Sequence, residues 1–328
     1  MSRKVVYVAL QQFCEHDISP RSLLEDAGWE VRENRLGRRP TRDDLLVTLQ
    51  EADAVVAGVE PYDAGLLAGL PRLRCISRCG TGTDAIDLPA ATARGIAVLT
   101  TPDEVVEPVA QLTLAMILSL ARQLPRYLAA ARERRWSKHT GVLLREWVIG
   151  LIGYGRIGQM VEQYLRPFGP RVLIADPARR GAVLPAGVEW CELDTLLGAC
   201  DLVSVHASRD PSAGPLIGRA ELARMRPGSF LVNTARGHLV DEQALAEALE
   251  AGRLAGAALD VFAIEPYGGP LMAFPQVICT PHIATLTNAS RAAMEQRCAQ
   301  NVVDFFATAS VPSAASVTGR GESGEETG

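Results

Sequence analysis

The chain has 328 residues, enough for two domains of ordinary size with well-buried cores. It is 48% hydrophobic and 22% charged, with a formal charge of −5, so nothing draws it to nucleic acid or to an anionic membrane through bulk charge. Seven cysteines without a CxxC pair or a histidine at zinc spacing argue against a disulfide framework or a zinc site, and for reduced, mostly buried thiols in a cytoplasm. Cys75 and Cys79 are the one alternative, as a redox pair, and the less favoured one. The start of the chain has too short an apolar stretch for a secretory signal, and the longest apolar run, residues 112–121, is too short to cross a bilayer. Lysine occurs only at positions 4 and 138, the rest of the basic residues being arginine, which reads as codon bias and not chemistry.

In chain order, residues 4–10 form a first strand and residues 19–27 a helix, with Ser19 as its candidate cap ahead of Pro20. A strand begins at residues 28–31, a helix follows over 42–51, and further strands over 54–59 and 73–77. Such alternation predicts a parallel sheet flanked by helices. A long helix over 103–124 leads into a second alternating unit, whose later strands fall at 202–206, 229–233, 257–260 and 277–280. The helix over 288–307 has no strand after it in its own unit, so it is expected to return to the first domain and make that domain discontinuous. Residues 310–328 are small, polar and acidic and read as a disordered tail.

Between these stretches lies the most informative segment, residues 147–177. Val148, Ile149, Leu151 and Ile152 suit a strand buried on both faces, and Gly153, Gly155 and Gly158 follow at GxGxxG spacing. Gly153 permits the tight turn, Gly155 lets the backbone approach a pyrophosphate, and Gly158 lets the next helix pack close to the strand. A helix opening near Arg156 would hold the phosphates at its N-terminus. Asp176 ends the next apolar run, where a carboxylate can accept from ribose hydroxyls. The predicted class is therefore α/β, with two Rossmann-like domains on parallel sheets. Residues 1–99 and 285–309 form the substrate domain and residues 100–284 the NAD-binding domain. Asp176 favours NAD because it repels a 2′-phosphate, while Arg179 and Arg180 keep NADP open as the alternative.

Three ionisable residues follow buried strands of the second unit: Arg236, Glu265 and His282. Active-site residues of open α/β sheets gather in such turns. Hydride transfer from an alcohol carbon needs a partner for the hydroxyl proton, and histidine serves best near neutrality when a carboxylate orients it. An arginine can grip a substrate carboxylate through two parallel hydrogen bonds. Singly, each residue has an ordinary structural reading as loop acid, capped histidine or ion pair. Together they describe an oxidoreductase acting on a 2-hydroxy acid.

The segments GLIGYGRIG, NTARGHLVDEQALAEALEAGRLAGAALDVFAIEP and TPHIATLT resemble the signatures of the D-isomer-specific 2-hydroxyacid dehydrogenases, and the resemblance covers most of residues 70–305. In the first domain, ISRCGTGTDAIDL is most similar to the D-3-phosphoglycerate dehydrogenase branch. The resemblance implies Arg236 as substrate anchor, His282 as general acid/base and Glu265 as its orienting partner. It implies that the loop holding Arg78, Gly80, Thr81 and Gly82 presents backbone N–H groups to the substrate carboxylate, with Arg78 receiving a phosphate. It places the cofactor against Gly153, Gly155, Arg156, Ile157, Gly158, Asp176, Ala207, Thr234, Ala235, Arg236, Asp260 and His282. No metal is implied, and a homodimer is.

Two departures bear on substrate choice. Gln111 stands where the family commonly has Glu, and ASRDPSAGP replaces the usual Pro-containing stretch after His206, introducing an exposed Arg209. The expected substrate is a small D-2-hydroxy or 2-oxo acid that can carry a phosphoryl or phosphono group. The alternatives are a glyoxylate or hydroxypyruvate reductase, and a non-catalytic NAD(H)-sensing protein akin to a corepressor.

Overall fold

The structure, a computed structural model, describes residues 3–136 and 138–308. The tail expected over 310–328 lies outside the described residues. The chain divides into two compact units, Met1–Val105 with Thr287–Gly328, and Val106–Leu286.

The first unit runs β1 (Val5–Val8), α1 (Ser19–Asp26), β2 (Glu30–Glu33), α2 (Arg42–Thr48), β3 (Ala54–Ala57), α3 (Ala64–Ala68), β4 (Cys75–Arg78), α4 (Leu88–Ala93) and β5 (Ala97–Leu99). All five strands pair in parallel in the order β2-β1-β3-β4-β5. One face buries Leu45, Leu49, Leu66, Leu67 and Ile76 under α2, α3 and α4. The helices start where short polar side chains can cap them. Thr41 and Asp44 form a capping box on α2, and Asp63 and Asp87 accept from the first turns of α3 and α4. Ser19 is not a cap, contrary to expectation. It is the first helical residue, and its N–H and hydroxyl both donate to Asp17 outside the helix.

The second unit holds α5 (Val106–Ala121), α6 (Leu124–Arg132), β6 (Val148–Ile152), α7 (Arg156–Leu165), β7 (Arg171–Ala175), β8 (Val188–Trp190), α8 (Leu193–Ala199), β9 (Leu202–Val205), α9 (Arg219–Arg224), β10 (Ser229–Asn233), α10 (Glu242–Glu250), β11 (Leu254–Leu259) and β12 (Val277–Cys279). α11 (Asn288–Thr308) then belongs to the first unit, where it packs on α1 and β4. The single helix expected over 103–124 is two. It starts three residues later and breaks at Gln123, which adopts a left-handed φ of 53°. The observed strands are generally shorter than the apolar runs that announced them, because runs such as 4–10 and 54–59 continue into loops past the last ladder bond.

Seven parallel strands lie in the order β12-β11-β10-β9-β6-β7-β8, with separate cores on the two faces. The order reverses between β6 and β9, and in open α/β sheets ligands bind outside the strand ends at such a point. Two loops meet there. A Cβ on Gly153 (φ 90°) would lie 2.7 Å from the Ala207 nitrogen and the His206 carbonyl carbon, so only glycine fits. His206 Nε2 pairs with the Ser204 hydroxyl at 2.9 Å, while Nδ1 is buried without a hydrogen-bond partner.

Burial pushes the His206 imidazole down to about 4, so it is neutral in the folded protein at pH 7. A group with a depressed folded pKa gives stability that is present above its unfolded pKa and lost as pH falls towards the folded one. From pH 6.5 down to 4, His206 therefore removes up to about 3 kcal/mol. Urea midpoints of the parent and of His206→Gln over that window check this. The parent is expected to lose more stability than the variant, and parallel curves would refute the assignment.

Candidate active site

The glycine loop leaves β6 and enters α7 through Gly155, its N-cap. A Cβ on Gly158 would strike the Gly153 carbonyl oxygen, whereas one on Gly155 would meet nothing within 4 Å. Two glycines thus answer to close backbone packing, and the third faces open space. Arg156, Ile157 and Gly158 form the first turn of α7, whose N–H groups have no partners within the helix. Asp176 follows β7 and holds the loop in place. Its Oδ2 accepts from the Tyr154 N–H at 2.7 Å and its Oδ1 from Ala178 at 2.9 Å. Each oxygen keeps a second acceptor site for a ribose hydroxyl. Open space at Gly155, an aligned helix start, the acid at the end of β7 and the orphaned His206 nitrogen fit a dinucleotide.

The catalytic candidates leave three neighbouring strands on one edge of this sheet. Arg236 follows β10, and its Nη1 donates to the Ala235 carbonyl at 2.7 Å. The turn before it is set by Asn233, a buried side chain that accepts from the Ala235 N–H at 3.1 Å and donates to the Arg236 carbonyl at 2.9 Å. The Thr234 hydroxyl lies 2.8 Å from that of Thr113 on α5. Gly237 sits so tightly against the backbone of Phe262 that no side chain fits, which joins the loop after β10 to the loop after β11.

Glu265 uses its two oxygens differently. Oε1 accepts from the Phe262 N–H at 3.1 Å, and Oε2 lies 3.0 Å from His282 Nδ1. A neutral imidazole that donates from Nδ1 carries its lone pair on Nε2. Both side chains are partly exposed, at 33% for Glu265 and 43% for His282, so the free edge of the ring is open to a reactant. His282 has a left-handed φ of 55°, and its N–H donates to the carbonyls of Asp260 and Thr280.

That unusual conformation is held by Asp260. The residue is fully buried, and its carboxylate accepts from the Thr280 hydroxyl at 2.6 Å and from the Ile283 and Ala284 N–H groups at 2.9 Å each. The resemblance implied a place for Asp260 against the cofactor, and the geometry makes it the clamp on the His282 loop. Asn233, Gly237 and Thr113 were not singled out from the sequence. The first two stand within the NTARG run, and their signal was their neighbourhood to Arg236. Gln111 donates to Glu107 at 2.9 Å, and Arg209 is exposed, as expected.

In the first unit, Arg78 ends β4 and folds back to donate to the Cys79 carbonyl. Its guanidinium lies over Gly80, whose φ of 132° excludes other residues. One expectation needs correction here. The Gly80 N–H is not presented outward. It donates to the Thr101 hydroxyl at 2.8 Å, because the buried amide must be satisfied inside the fold. Thr81 and Gly82 are half-buried. Glu60 follows β3 and is 3% exposed. It accepts from the Gly58 N–H at 2.7 Å, and burial raises its pKa against the pull of Arg39 and Arg78. Among the described residues, no group of three or more His, Cys, Asp or Glu side chains could hold a metal ion.

Comparison with known proteins identifies the family. Residues 114–284 match the family described as D-isomer specific 2-hydroxyacid dehydrogenase, NAD binding domain. A D-3-phosphoglycerate dehydrogenase of Mycobacterium tuberculosis is 40% identical over 287 residues, which are 85% of this chain and 54% of that protein. The chain thus spans about half the length of the phosphoglycerate relatives it matches. A glyoxylate reductase of Thermofilum pendens is 37% identical over 276 residues, 80% of this chain and 81% of that one. The crystal structure of the TT0316 protein from Thermus thermophilus superposes with a TM-score of 0.82 at 33% identity, covering 92% of this chain and 97% of that one. The chain belongs to the D-isomer specific 2-hydroxyacid dehydrogenase family.

Proposed function

We propose that this protein interconverts a small D-2-hydroxy acid and its 2-oxo acid with NAD as cofactor. The observation that carries the reading is the 3.0 Å pairing of Glu265 with His282 Nδ1, at the edge of a sheet whose switch point holds the glycine loop. Bound NAD supplies the hydride acceptor, and NADH the hydride. His282 Nε2 takes the hydroxyl proton in oxidation and returns it to the carbonyl oxygen in reduction. Glu265 fixes the ring and stabilises its protonated form. Arg236 grips the substrate carboxylate, a task suited to a planar fork of donors. The glycine loop, Arg156 and Ile157 bind the pyrophosphate, and Ala207, Thr234, Ala235 and Asp260 line the cofactor's further course. Substrate recognition falls to Arg78, Thr81 and Gly82, with Gly80 acting through its backbone shape.

Arg78 and the phosphoglycerate relatives support an acid that bears a phosphoryl or phosphono group. The glyoxylate reductase relative, matched over most of its length, supports a small uncharged 2-oxo acid as the second reading. A homodimer is part of the proposal, and exposed Leu124, Leu128 and Met272 on the second unit support it. A cytoplasmic location is supported by seven free cysteines. Among the described residues no helix is long and apolar enough to cross a membrane.

The direct test follows NADH absorbance with phosphohydroxypyruvate, a phosphono-2-oxo acid, hydroxypyruvate, glyoxylate and pyruvate. Preference for a phosphorus-bearing acid supports the first reading, and preference for the small acids the second. Silence with all five alongside tight NADH binding would replace catalysis by cofactor sensing. His282→Ala should lower kcat by about 10²–10⁴-fold while NADH binding persists, as titrated by fluorescence. Unchanged kcat would remove His282 from proton transfer. Asp176→Ala should raise KM for NAD and narrow the preference over NADP. An unaltered ratio of the two cofactors' kcat/KM would remove Asp176 from ribose recognition.

A further inference from the structure

Two arginines follow the acid that closes β7, and the structure engages one of them from the neighbouring strand. Residues 176–180 make one tight turn, in which the Arg179 N–H donates to the Asp176 carbonyl at 3.0 Å and the Arg180 N–H to the Pro177 carbonyl at 3.4 Å. The Arg180 guanidinium lies over Trp190, 5.0 Å from the ring centroid, and its Nη2 donates to Glu192 Oε1. Trp190 ends β8, where it stands opposite Ile174 of β7. Its indole N–H donates to the Asp176 carbonyl at 2.9 Å. The ring is thus fastened to the backbone of the residue read as the ribose acid. The arginine is fastened to the ring and to the carboxylate beyond it.

We propose that Trp190 and Glu192 are specificity-determining residues for the cofactor, because they withhold Arg180 from the 2′ position of the ribose. The inference rests on the ribose role proposed for Asp176. Arg180 stands four residues after that acid, and its side chain is long enough to serve a phosphate ester beside it. An arginine so placed is what lets a dinucleotide site accept a 2′-phosphate, through charge-assisted hydrogen bonds. Here the phosphate would first have to draw the guanidinium off the indole and away from Glu192. Glu192 would also repel it as a like charge. NAD, which lacks the phosphate, requires neither change. Preference for NAD then has two parts, repulsion by Asp176 and sequestration of Arg180.

Both partners of the ion pair are exposed, so neither contact holds the arginine strongly. An exposed ion pair and an exposed cation–π contact together shift such an equilibrium by about tenfold at most. The clamp tunes the ratio of the two cofactors, and Asp176 supplies the rest. The identity of the acid substrate does not enter.

The test uses the full chain at low, fixed ionic strength, since salt screens an exposed pair. NADH is titrated by its fluorescence, and NAD and NADP are titrated by displacing it. Glu192→Gln, a surface change that keeps the side-chain shape, should lower the Kd for NADP by about threefold to tenfold. The Kd for NAD should stay within about twofold, as it owes nothing to Arg180 on this proposal. Loss of a negative charge would by itself favour NADP, so Arg180→Ala separates the two causes. In the parent that substitution should leave the Kd for NADP unchanged, and in Glu192→Gln it should abolish the gain. A gain that survives Arg180→Ala would assign the effect to charge or to Arg179 and overturn the proposal. So would an unaltered NADP affinity in Glu192→Gln. An unaltered cofactor ratio in Asp176→Ala is a separate result, which removes the ribose role of Asp176 and leaves the Glu192 and Arg180 comparison to stand or fall on its own.

Discussion

Parallel strands send every outgoing loop to one edge of a sheet, and the second unit is organised by that constraint. With seven strands in parallel, the loops after β6, β7, β9, β10, β11 and β12 share an edge, although they come from residues more than a hundred positions apart. Reversal of strand order between β6 and β9 opens a crevice in the middle of that edge. The glycine loop and Asp176 lie on the β6 and β7 side, and Arg236, Glu265 and His282 on the β10 to β12 side. No single residue creates this separation. It follows from strand order and from the right-handed crossovers that helices impose on parallel strands.

Within that frame the chemistry is held by buried polar groups whose hydrogen bonds are used up internally. Asp260 shows the principle. Its carboxylate would be costly in the core if unpaired, yet three donors from one loop satisfy it and fix that loop in return. Asn233 does the same for the turn carrying Arg236, while the half-buried Asp176 ties down the glycine loop and keeps acceptor sites open. The outward-facing groups can then be exposed and reactive, because their backbones are fixed from beneath. The partly exposed Glu265–His282 pair draws its order from these supports more than from its own ion pairing, which is weak when solvated.

The sequence made the strand ends and the ionisable side chains that follow them legible, and for one reason. Short apolar runs followed by glycine or an ionisable residue mark where a buried strand stops. Val148 to Ile152 with its glycines, and the residues just beyond 233, 260 and 280, were readable in this way. Contacts that depend on chain fold-back were not. Nothing local announces that Thr113 meets Thr234, that Gly237 touches the Phe262 backbone, or that the Gly80 amide is taken by Thr101. Ser19 misled because Ser before Pro reads as a cap, while Asp17 two residues earlier offers the better acceptor.

The contact of Gly237 with the Phe262 backbone has a consequence for how such a protein can diversify. Since the loops after β10 and β11 are pressed together without a side chain between them, neither can lengthen or shift alone without displacing Arg236 or Glu265. On the proposed function, variation in the acid accepted would therefore enter elsewhere, through the first unit's loops or the stretch between Glu265 and His282. The arrangement divides the chain into residues that keep the reaction and residues free to change its object. A lineage built on it can change its variable loops while the backbone around Arg236 and Glu265 stays constant.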